Sequence, residues 1–74
     1  MEHISKELYL SLKMKYNNEI QSYKTTLLIY FEKSVGISEH SNHIDEMDKL
    51  LEKMTCANDK LTILEKNFRM YARL

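Results

Sequence analysis

The chain has 74 residues, and its 11 lysines and arginines balance 11 aspartates and glutamates, so no net charge advertises a nucleic-acid or membrane partner. Hydrophobic residues at 43% and charged residues at 30% fit a folded chain rather than a disordered one, while one glycine and no proline argue against a many-turned β sandwich or barrel. Below about 80 residues a lone hydrophobic core is thin, so one small domain, residues 1–74, is expected. Cys56 is the one cysteine, which excludes an internal disulfide framework and suits a reducing, cytoplasmic compartment. The longest apolar run, Leu27 to Phe31, is five residues, far short of a membrane span, and the first residues lack a signal-peptide core.

In chain order, the first predicted element is a helix over about residues 4–35. Tyr9, Tyr16, Tyr23 and Tyr30 recur at an interval of seven, with Ile20 and Leu27 at the complementary positions between them. Asn17-Asn18 and Thr25-Thr26 are poor helix formers. Leu27 to Phe31, taken alone, reads as a buried strand, but no second strand-like segment exists for it to pair with. The loop follows at about 36–41. Gly36 suits the left-handed position past a helix end, with Ile37 folding back on Phe31, and either Ser38 or Ser41 can cap the next helix.

The second helix is expected over about 42–73. His43, Met47, Leu50, Met54, Ala57, Leu61, Leu64, Phe68 and Tyr71 alternate steps of four and three, the seam of a coiled coil with only its first member polar. Asp45, Glu46 and Asp48 favour the positive start of this helix, and Lys66, Arg69 and Arg73 its negative end. Folded back on each other, the two stripes match in layers: Tyr30–Met47, Leu27–Leu50, Tyr23–Met54, Ile20–Ala57, Tyr16–Leu61 and Tyr9–Phe68. One layer fails, Lys13 opposite Leu64, and Leu12 is expected to fill that space. The fold class is therefore all-α, an antiparallel, coiled-coil-like helical hairpin.

A hairpin buries one stripe per helix, yet many apolar residues fall outside the stripes. Leu8, Leu10, Leu12, Met14, Leu28, Ile29 and Phe31 remain on the first helix, and Ile44, Leu51, Ile63, Met70 and Leu74 on the second. An exposed surface of that kind marks an interface. The residues expected to form it are Leu10, Met14, Leu28, Ile29, Phe31, Ile44, Leu51, Ile63, Met70 and Leu74, through self-association into a four-helix bundle as a homodimer. The loop end is net negative and the termini end net positive, so an end-for-end dimer is expected.

Residues that could carry chemistry are few. Glu39, His40 and His43 resemble metal ligands in type, but a zinc site needs three or four converging ligands and Cys56 lies about 20 Å along the helix, so no metal and no cofactor is expected. Cys56, between two seam positions, reads as a half-buried filler rather than a reactive thiol. There is no phosphate loop, nucleophile elbow or zincin motif, and two long helices offer a ridge rather than a pocket, so no enzymatic activity is expected.

Two resemblances bear on function. Glu46-Met47-Asp48-Lys49-Leu50 resembles the acidic helix motif of the small sporulation-type phosphatases that act on response regulators, also helical hairpins. Over those five residues the resemblance implies Asp48 as the functional carboxylate, but Ile44 and Asp45 stand where that family has serine and glutamine, and the loop spacing differs. In length and architecture the hairpin is also similar to plasmid copy-number regulators, which dimerise into four-helix bundles that bind paired RNA loops. That comparison implies phosphate contacts from Lys6, Lys13, Lys15, Lys66, Arg69 and Arg73 at the termini end. The expected function is a non-enzymatic protein–protein interaction module, a small regulator, inhibitor, adaptor or chaperone-like subunit acting through an apolar helix face. RNA binding by a dimeric hairpin is the alternative, and phosphatase action the third reading.

Overall fold

The computed structural model of the chain describes residues 4–33 and 40–73, without the side chains of His40 and Ser41. Helix α1 runs Ile4–Lys33 and helix α2 His40–Phe68, followed by a 3-10 segment, Arg69–Arg73. The helices pack against each other as a hairpin, giving an elongated body of 56 × 16 × 14 Å. Among the described residues there is no strand. The threonines and asparagines that weaken helix propensity are accommodated by bonding back along the helix: Thr25 and Thr26 hydroxyls donate to the carbonyls of Gln21 and Ser22 at 2.9 and 3.1 Å. Thr62 and the Asn67 amide do the same to Asn58 and Ile63.

The α1 stripe is where the heptad pattern put it. Tyr9 and Leu27 are buried, and Lys13, Tyr16, Ile20, Tyr23 and Tyr30 are half-buried in the same four-three rhythm. On α2 the stripe holds from His43 to Leu64, with Ala57 and Leu64 buried. Ala57, the smallest seam residue, is buried at mid-length.

Several expectations need correcting. α2 begins at His40, earlier than the predicted start, so Ser41 lies inside the helix rather than capping it. Its first turn then holds no acid; Asp45, Glu46 and Asp48 fall in the following turns. The predicted C-cap at Gly36, with Ile37 and Ser38, lies outside the described residues, as do Glu39 and Leu74. The far end of α2 is a 3-10 turn, and there the seam is lost: Phe68 and Tyr71 are exposed, while Glu65 and Ala72 are half-buried instead. A straight α-helix falls behind a 3.5-residue repeat by about 20° per heptad, which over the length of α2 carries its far end off the buried stripe. At the loop end the Tyr30 ring also meets His43 edge-on at 5.3 Å, a contact additional to the expected layer with Met47, whose two members are both half-buried. In the failed layer Lys13 itself occupies the seam and its ammonium reaches Glu65 at 3.4 Å; Leu12 stays on the flank. Cys56 is exposed, not a half-buried filler.

Candidate functional site

The property that sets this hairpin apart is how little of its apolar content it covers. Among the described residues, four hydrophobic side chains are buried and thirteen large ones are exposed. The exposed set includes Met14, Leu28, Ile29, Phe31, Ile44, Leu51, Ile63 and Met70, eight of the ten residues predicted to form an interface. Leu10 is half-buried, and Leu74 lies outside the described residues.

These side chains do not form one continuous surface. Counting 100° per residue around each helix, Leu28, Phe31, Ile44 and Leu51 fall on one broad face of the hairpin, near the loop. Leu51 there borders a shallow depression shared with Ile20, Met54, Thr55 and Asn58. Ile29, Ile63 and Met70 turn toward the opposite side, and Met14 sits about four turns below Leu28.

That opposite face carries a feature the sequence reading did not assemble. Near the termini, Leu8 and Leu12 on α1 and Leu64, Phe68 and Tyr71 on the other arm line an apolar groove of about 360 Å³, with Tyr9 and Ser5 completing it. Two of these, Phe68 and Tyr71, had been assigned to the seam; they are released because the buried stripe rotates away beneath them. The one irregularity the sequence offered near this end was Lys13, a lysine at a seam position.

The cations suggested for phosphate contact are dispersed and partly engaged. Lys13 pairs with Glu65, and Lys15 with Glu19 at 2.9 Å. The hydrogen bond and charge of Glu19 raise the Lys15 pKa above 10.5. Lys6 is half-buried, while Lys66, Arg69 and Arg73 are exposed. Lys66 and Arg69 border a shallow polar depression with Thr62 and Glu65, so a carboxylate stands where a phosphate would have to approach. Lys60 instead lies over the Tyr16 ring, 5.8 Å from its centre.

Around Asp48, the carboxylate suggested by the phosphatase-like motif, the neighbouring Glu46 and Lys49 form an exposed ion pair at 3.7 Å. Among the described residues no three histidines, cysteines or carboxylates converge as metal ligands. None of the described helices is long and apolar enough to cross a membrane. Compared with protein-family models, curated proteins and solved structures, the chain matches none of them.

Proposed function

We propose that this chain is a protein–protein interaction module whose apolar surfaces are completed by other helices, in the simplest case those of a second hairpin. The observation that carries this reading is the ratio, among the described residues, of thirteen exposed large apolar side chains to four buried apolar ones. Isolated apolar residues on a surface are ordinary, but clusters on two faces of so small a body cost free energy in water unless a partner covers them. Where two hairpins overlap, their four helices pack as in a four-helix bundle and supply the core that one hairpin lacks. The module holds, masks or bridges other helices by burial rather than by chemistry. A cytoplasmic setting suits it, because an exposed Cys56 would cross-link copies under oxidising conditions.

Sedimentation equilibrium of the full chain at high micromolar concentration tests the reading. Association that persists at molar salt is the expected result, since apolar burial is insensitive to screening. A monomer at every concentration would overturn self-association. RNA binding that falls steeply with salt, with no protein association, would put the cationic termini end in command instead.

A further inference from the structure

The two apolar clusters lie on opposite faces at opposite ends, and the two ends differ in net charge. The first thirteen residues of α2 carry Asp45, Glu46, Asp48 and Glu52 against Lys49 alone. From Lys60 onward the same arm carries Lys60, Lys66, Arg69 and Arg73 against Glu65. In the acidic part, Ile44 and Leu51 are spaced two turns apart on one face with Asp48 between them, and both are more than half exposed. In the basic part lies the groove of Leu8, Leu12, Phe68 and Tyr71. About 36 Å of helix separates Ile44 from Phe68.

We infer that the groove at the termini end takes the Ile44–Leu51 stripe of a second copy, so that hairpins join head to tail. The inference rests on the self-association reading and adds its geometry. Three observations converge on a second copy as the occupant. An amphipathic helix laying i and i+7 anchors into an apolar groove is a recurrent recognition mode, and this chain presents both halves of it. The acidic stripe beside the basic end attracts, whereas like ends placed together repel. The surface area is also of the right size. A compact monomer of 8.9 kDa exposes about 4,800 Å². This chain exposes 5972 Å². The excess of about 1,200 Å² exceeds the ~800 Å² per partner that a standard interface removes.

Because stripe and groove occupy opposite faces, one two-fold axis cannot bring both pairs together. The contact is heterologous: each copy keeps a free groove at one end of the assembly and a free stripe at the other. Growth then continues with concentration unless a further element closes it.

Two variants separate this arrangement from a closed dimer. Ile44→Glu blocks the stripe and Leu8→Glu blocks the groove; both side chains are at least 60% exposed, so the seam is untouched and helical circular dichroism checks that each variant folds. The wild type is expected to show mass rising with concentration in sedimentation. Each variant alone should be monomeric under the same conditions, and their equimolar mixture should form a dimer that stops there, because only one intact stripe and one intact groove remain. Wild-type-like association by either variant alone, or a mixture that stays monomeric while the wild type associates, overturns the head-to-tail inference and leaves self-association standing. A wild type that is monomeric throughout removes both.

Discussion

The two ends of the hairpin are closed by different chemistry. Near the loop, Tyr30 packs edge-on against His43, an aromatic contact on the seam with Leu27 buried just beneath it. Near the termini, Lys13 takes the seam position and reaches sideways to Glu65, Phe68 at the end of α2 is exposed, and Tyr71 is exposed in the 3-10 segment that follows. One heptad pattern thus gives two outcomes. Where each layer offers an apolar residue from both helices, the four-three rhythm is held by burial. Where one layer offers a lysine, a partly exposed ion pair worth under about 1 kcal/mol stands in its place. Tyr9 and Leu64 stay buried beside it, but Phe68 and Tyr71 on the arm beyond Leu64 are exposed and line the groove.

That comparison can be broken first at its strongest point. Leu64 is buried and is the last seam residue before the stripe rotates away. Leu64→Ala should cost about 2–5 kcal/mol in urea or thermal unfolding. Leu61, only half-buried, should cost less on the same substitution. Equal losses would mean that burial does not end where the structure ends it. At mid-length Ala57 is 3% exposed, and Ala57→Leu should destabilise by about 1–3 kcal/mol by forcing the helices apart. A neutral result would show that the seam around Ala57 has room for a larger side chain.

The hairpin and its seam were legible in the sequence because a sevenfold tyrosine spacing and an apolar heptad are independent signals that agree in register. The exposed apolar residues were legible too, by subtraction: what two stripes cannot cover must face outward, and Phe31 and Ile44 do. The groove was not legible. Phe68 and Tyr71 continue the heptad without a break, and only the accumulated rotation of a straight helix, ending in a 3-10 turn, separates them from the seam. The division of apolar residues between two faces could be read from the sequence once the seam was fixed, since 100° per residue gives each leftover its angle.

Two substitutions of about equal size make the ends alike. Lys13→Leu supplies the missing apolar layer opposite Leu64 and should stabilise by about 1 kcal/mol, less than full burial of a leucine because the site is half-exposed. The groove should narrow as Phe68 returns toward the seam, which tyrosine and phenylalanine nuclear Overhauser contacts would register. His43→Phe does the reverse service at the loop end. The His43 Nδ1 is buried with no hydrogen-bond partner among the described residues, a cost that phenylalanine removes while keeping the edge-on contact with Tyr30. A gain of about 1 kcal/mol in unfolding is expected, and a loss would show that Nδ1 serves a hydrogen bond in solution.

The smallest effect belongs to the pair that decorates neither end. Lys15 and Glu19 meet at 2.9 Å on the surface of α1, with the lysine N-terminal to the glutamate. That is the weaker order for a helical ion pair, because each charge sits against the local helix dipole rather than with it. Glu19 raises the Lys15 pKa above 10.5, so whatever the pair contributes is fully present at neutral pH. It disappears only as alkaline solution takes the proton from Lys15, through the raised folded-state value. Glu19→Gln should therefore leave the thermal midpoint at neutral pH within error of the wild type, and molar salt should erase any difference that remains. A clear loss at neutral pH that survives such salt would show that Glu19, itself half-buried beside the seam, stabilises the hairpin by packing its stem rather than by its charge.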